Sequence, residues 1–250
     1  MDGVLWHDSE PIGNLPEIFS AISKMGLQVS FATNNATKSV REFLHKLEGF
    51  GVHVEPEQIV TSANAALRYI SMHYAPASKV YVLGSESLRE QVREKGFVVL
   101  DENEPDDAEV VLVALDTHVN YLKLANAGML IRKGAQFIAT NTDATYPTPK
   151  GLMPGAGTMV AAVTAASGRE PLVIGKPEPT MFEQAMEIMG TQPHETLCIG
   201  DRLETDVLGG QNAGCLTALV LGGVSTYEQA QTWQPQPTII AKDLSSLLHD

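Results

Sequence analysis

Residues 196–206 read TLCIGDRLETD, and the carboxylates in this stretch are the strongest chemical signal in the chain. Leu197, Cys198 and Ile199 form a short apolar run that Gly200 ends. Such a run predicts a strand buried on both faces of a parallel sheet. Asp201 follows at once, and Asp206 lies five positions further on. In an open α/β sheet the ligand crevice lies at the carboxyl ends of the strands. Two aspartates around a tight turn there suit a hard cation such as Mg²⁺, which prefers carboxylate oxygen. The plainer alternative makes Asp206 a helix cap and Asp201 a solvated loop charge.

Two further strand tips carry chemistry of a complementary kind. A strand over 27–32 ends in Thr33-Asn34-Asn35-Ala36-Thr37, just before a helix over 39–47. A hydroxyl and backbone amides at that position form an anion cradle. Thr33, at the tip itself, is the better ligand, whereas Thr37 and Ser39 read as ordinary caps. A brief strand over 172–174 ends in Gly175-Lys176-Pro177-Glu178-Pro179. The prolines fix the backbone, so Lys176 is held at the tip as a point charge for phosphate or for a carboxylate cluster. The alternative is a surface turn lysine. At the head of the chain, Asp2-Gly3 followed by Val4-Leu5-Trp6 reads as a strand end and turn with no strand before it.

The elements that must position these groups follow from periodicity. Asn14 caps a helix with apolar positions Ile18, Phe19, Ile22 and Met25. Helices over 63–74, 85–95, 121–132, 158–167 and 181–190 alternate with strands over 79–83, 97–100, 110–115, 136–140, 216–221 and 238–241, and a short helix over 244–248 ends the chain. This alternation defines an α/β protein. The acidic stretch 101–107 is a solvated excursion. The Pro- and Gly-rich stretch 143–157 is a long loop of hinge or substrate-facing character. Within it and just before it, Asn141, Asp143, Tyr146 and Lys150 are candidates for selecting substrate, against the plainer role of stabilising the loop.

Composition excludes several classes. A net charge of −13 argues against nucleic acid or an anionic membrane as partner. No apolar run approaches the ~18 residues of a membrane span, and the acidic N-terminus does not read as a signal peptide. Cys198 and Cys215 lie in apolar stretches and read as buried thiols of a reducing compartment, which makes the cytoplasm the expected location.

Taken together, MDGVLW, FATNN, GKPEP, GDRLETD and the PGAG segment resemble the haloacid-dehalogenase-like hydrolases over essentially the whole chain. The closest likeness is to their phosphatase branch with a large inserted cap, the nitrophenylphosphatase and NagD-like proteins. The resemblance implies a Rossmann-like parallel-sheet core from residues 1–63 and 158–250, with a smaller inserted α/β cap domain over 64–157. It implies Mg²⁺ as cofactor, a small phosphorylated metabolite as substrate and a homodimer formed through the cap. By the same resemblance Asp2 is the general acid/base, with its carbonyl on the metal. Thr33 and the Asn34 backbone bind the phosphoryl oxygens, Lys176 steadies their charge, and Asp201 and Asp206 serve the metal. Phosphomutase or phosphotransferase action shares the same core, but a cap of this size favours hydrolysis. Haloacid dehalogenation needs no metal and leaves Asp201 and Asp206 without a role.

One departure stands out. The family's nucleophile is an aspartate two residues before Asp2, a position ahead of Met1 in this sequence. The expectation is a start further upstream, and little or no catalysis by the 250 residues alone, because aspartyl-phosphate formation needs that carboxylate. The alternative is a non-catalytic phosphometabolite-binding or regulatory protein.

Overall fold

The structure, a computed structural model, describes residues 1–36, 38–148 and 151–248. It is an α/β fold whose chain divides into two compact units, one of residues 1–33, 40–60 and 176–250, the other of residues 34–39 and 61–175.

The chain opens in the first unit with an antiparallel pair, β1 (Trp6–His7) and β2 (Glu10–Pro11). The helix Leu15–Lys24 follows. Asn14 caps it by accepting from the Glu17 N–H, and Ile18 is buried, whereas Met25 falls at the exposed C-terminal end. The strand expected over 27–32 is shorter and later, β3 (Phe31–Thr33), and it pairs with β4 (Ile59–Thr61).

The second unit is built on β5 (Lys79–Leu83), β6 (Val98–Val99), β7 (Val110–Val113), β8 (Gln136–Ala139), the hairpin of β9 (Thr145–Thr148) and β10 (Gly151–Pro154), and β11 (Leu172–Val173). Five of these make one parallel sheet in the order β11-β8-β7-β5-β6. The central strand β7 is apolar and buried at every position, as a parallel strand covered on both faces requires.

Back in the first unit, β12 (Leu197–Gly200), β13 (Leu216–Val220) and β14 (Ile239–Ala241) form a parallel three-stranded sheet. Among the described residues no ladder joins β3 to β12. Trp6, Leu15, Phe31, Phe43, Leu47, Ile59 and Val220 share one core cluster of this unit.

In the second unit, which runs to residue 175, β11 pairs with β8 and helix Ala156–Ser167 packs against helix Tyr121–Arg132. The stretch 143–157 is not wholly irregular but contains the β9–β10 hairpin, whose Leu152 and Met153 are exposed. β10 is exposed at every position and leaves no hydrophobic period to read. Lys150 lies outside the described residues.

The packing of the two helices depends on a close approach. A Cβ added at Gly128 would lie 3.0 Å from the Ala166 Cβ. Gly128→Leu is expected to lower stability by ~1–3 kcal/mol, the usual cost of overpacking, measured as a lower urea midpoint with an unchanged slope.

Candidate active site

Lys176, Asp201 and Asp206 all belong to the first unit and all are buried. The Lys176 ammonium donates to Asp206 Oδ1 at 2.6 Å and to the Ala32 carbonyl of β3 at 3.4 Å. The pair is nine-tenths sequestered, with side-chain exposures of 8% and 12%. Lys176 is therefore not a surface turn residue. Its segment is tied to helix Leu208–Asn212, since Asn212 Nδ2 donates to the Pro177 carbonyl, and a Cβ on Gly209 would lie 2.6 Å from the Phe182 ring and 3.3 Å from Pro177.

Asp206 does not sit in an ordinary helix cap. It lies in a π-helical turn, Leu203–Val207, closed by the Val207 N–H donating to the Arg202 carbonyl. Such wide turns recur at functional sites because they re-aim a side chain. The Arg202 N–H donates to Asp206 Oδ2, so both carboxylate oxygens are engaged. Gly200 is obligatory, because a Cβ there would lie 2.0 Å from the Asp206 Cβ.

Asp201 is clasped between two glycine backbones. A Cβ on Gly3 would fall 2.6 Å from its carboxyl carbon, and one on Gly223 would fall 2.0 Å from Oδ2. Gly3 also has φ +72°, a conformation that favours glycine. Oδ2 accepts the Val224 N–H, and the Asp201 carbonyl accepts the Ser225 N–H. The Ser225 hydroxyl in turn accepts the Leu203 N–H, tying this loop to the turn that carries Asp206. Residues 221–225 form this cradle and went unread in the sequence, although a double glycine directly after a strand tip was the available signal.

The electrostatics of the two aspartates diverge. Burial works against the charge of Asp206, but the Lys176 ammonium, followed by the α-amino group of Met1, outweighs it and holds the carboxyl below its usual range. Asp201 is pushed up, by burial first and by the neighbouring Asp206 charge second, with the Val224 N–H bond only partly offsetting them. The Met1 α-amino group is lowered by burial and then by Lys176, and it feels Asp206, Asp2 and Asp201 in turn. Those four side chains thus converge on one region. Asp2 itself is exposed, with Oδ1 accepting the Trp6 indole N–H at 2.7 Å. Thr33 is buried at the tip of β3, the strand whose Ala32 carbonyl receives Lys176. Asn34 falls in the second unit, where its main-chain carbonyl accepts from Asn141 and Ser62 and its amide donates to Asp143.

Among the described residues no three His, Cys, Asp or Glu side chains lie close enough to hold a metal by themselves. Magnesium does not need three, since it binds through one or two carboxylates and keeps several waters. The buried, mutually repelling pair Asp201 and Asp206 fits that demand, because a cation relieves the repulsion that pushes Asp201 up.

Carboxylates and a lysine gathered at strand ends place the candidate site where α/β sheets bind their ligands. The sequence comparisons agree. The family profile of haloacid dehalogenase-like hydrolases matches residues 1–98, and a HAD-hydrolase-like profile matches residues 173–247. The acid sugar phosphatase of Staphylococcus haemolyticus is 35% identical over 245 residues, 98% of this chain and 92% of that protein. The p-nitrophenyl phosphatase from Archaeoglobus fulgidus has a TM-score of 0.91 at 30% identity, covering 99% of this chain and 95% of that one. The glycerol phosphate phosphatase Rv1692 from Mycobacterium tuberculosis, in complex with magnesium, has a TM-score of 0.90 at 34% identity, covering 100% of this chain and 75% of that one. NagD from E. coli K-12 is a further structural match, with a TM-score of 0.87 at 30% identity, covering 98% of this chain and 94% of that one. The chain belongs to the haloacid-dehalogenase-like hydrolases, in their NagD-like branch, and it is a phosphoric monoester hydrolase by family.

The ion pair gives a pH-dependent prediction. Asp206 is depressed in the folded state, so its contribution to stability is present above the unfolded carboxylate value and is lost as pH falls through the folded one. Lys176→Met removes the largest group opposing burial of the Asp206 charge, and burial then raises Asp206 instead. The variant is expected to lose ~3–5 kcal/mol at pH 7. That deficit should narrow as pH falls towards ~4, where the variant's Asp206 is protonated. Urea titrations of both proteins across that range check it.

Proposed function

We propose that this chain carries the site of a Mg²⁺-dependent phosphatase for small phosphomonoesters, working through an aspartyl-phosphate. The observation that carries the reading is the buried Lys176–Asp206 pair beside Asp201. In this reading the Thr33 hydroxyl and the Asn34 main-chain amide take the phosphoryl oxygens, and Lys176 compensates their charge. Phosphoryl transfer demands that compensation, together with in-line attack and a proton for the leaving oxygen. Asp2 delivers the proton, its carboxylate oriented by the Trp6 indole. Asp201, Asp206 and the Asp2 carbonyl would hold the cation, whose charge would offset that of the phosphoryl group and the nucleophile. The magnesium complex of the glycerol phosphate phosphatase supports that choice of metal.

The second compact unit is the cap in this reading, and it selects among small phosphorylated metabolites and mediates a homodimer. The names of the acid sugar phosphatase and the glycerol phosphate phosphatase support small metabolites as the class. No helix among the described residues is long and apolar enough to cross a membrane. A cytoplasmic location, without nucleic-acid or membrane partners, completes the proposal.

The nucleophile of this scheme is the aspartate that the family resemblance sets two residues before Asp2. A form of the protein extended upstream to carry an aspartate next to Met1 is expected to hydrolyse nitrophenyl phosphate in Mg²⁺ and to stop on chelation. The 250 residues alone are expected to bind phosphate without turnover. Equal turnover by both forms would move the nucleophile to Asp2 or Asp8. Binding without turnover in the extended form would favour the non-catalytic alternative.

A further inference from the structure

Asn34 is held more completely than its position in a loop requires. Its main-chain carbonyl accepts from Asn141 Nδ2 and from the Ser62 hydroxyl, both at 2.8 Å. Its carboxamide nitrogen lies 3.3 and 3.4 Å from the two oxygens of Asp143. On the fourth side a Cβ added at Gly175 would lie 2.7 Å from Asn34 Oδ1. Asn141 and Ser62 are themselves buried. Asp143 is fixed from behind: its N–H donates to Asn141 Oδ1 at 3.1 Å, and its carbonyl accepts the Gly157 N–H at 2.9 Å. Gly155 and Gly157 admit no side chain, because a Cβ on either would lie 2.2 Å from the Asp143 or Thr142 carbonyl. This is a physical reason for the glycines of the PGAG segment.

We infer that Asp143 is a positioning residue for phosphoryl binding, setting the Asn34 main chain from which an amide reaches the phosphate. With its carbonyl and its side chain both held, Asn34 has little freedom to rotate about the bonds at its Cα, and its own N–H lies in the planar peptide shared with Thr33. A backbone donor contributes to anion binding only when its direction is set in advance. A carboxylate would not ordinarily be placed near an anion site, because like charges repel. Here Asp143 is turned onto an amide, so its charge strengthens a hydrogen bond. The inference rests on the proposed roles of Thr33 and Asn34 and adds to them a residue 109 positions away in sequence.

The test uses the full 250-residue chain, with inorganic phosphate in Mg²⁺ as probe, followed by calorimetry, and melting temperature as the parallel readout. Asp143→Ala is expected to weaken phosphate binding about tenfold, in line with loss of a charge-assisted hydrogen bond. Asp143→Asn keeps an acceptor for the Asn34 amide and is expected to restore most of the affinity, within about threefold of the parent. A merely structural role would lower the melting temperature of both variants and leave the dissociation constant unchanged. Parent-like or tighter binding by Asp143→Ala, alongside lost binding in Lys176→Met, overturns the role of Asp143 alone. Absence of phosphate binding by the parent chain, or parent-like binding by Lys176→Met, overturns the phosphoryl-site reading and this inference with it.

Discussion

Two carboxylates buried side by side repel each other, and the site described here is arranged around managing that repulsion. Lys176 neutralises Asp206 through a 2.6 Å contact in which both partners are nearly sequestered from water. The Asp201 carboxylate accepts the Val224 N–H and, pushed up by burial and by the Asp206 charge, carries the remaining imbalance. Folding alone gains little from such an arrangement, because desolvating charges costs about as much as pairing them returns. Its persistence makes sense when a cation and a phosphoryl group complete the charge balance.

The rest of the first unit serves to hold that cluster still. Parallel strands present their tips on one side, so residues distant in sequence arrive together without long side chains. Glycines then let backbone approach carboxylate: Gly3 and Gly223 around Asp201, Gly200 beneath Asp206. The wide turn at Leu203–Val207 sets Asp206 towards Lys176 rather than along a regular helix face. Trp6, wholly buried, anchors the loop that returns to Asp2, with its ring against Phe50 and the Lys46 ammonium 4.1 Å from its centroid.

Much of this was legible in sequence for a definite reason. A strand covered on both faces reads as an apolar run, and the polar residue ending it marks the tip. Asp201, Lys176 and Thr33 read as strand-tip residues on that ground. What a run of two or three residues does not encode is the sheet it joins. Leu172–Val173 therefore reads as part of the first unit, although it pairs with Ile138 and Ala139 of the second. β10 is exposed at all four positions and so has no buried face to generate a period. The cradle at 221–225 acts through main-chain N–H groups, which side-chain identities do not report. Asn34 shows the same limit, since its partners Ser62, Asn141 and Asp143 are fixed by tertiary contacts alone.

The central claim is that Asp201 and Asp206 form a cation site whose repulsion a divalent ion relieves. The most direct measurement is the melting temperature of the parent chain and of Asp201→Asn as Mg²⁺ is raised. A ligand that binds only the folded state stabilises it progressively with concentration. The parent should therefore gain stability with Mg²⁺, and Asp201→Asn should start higher in the absence of cation and gain nothing. An equal Mg²⁺ response in the two proteins would contradict the account.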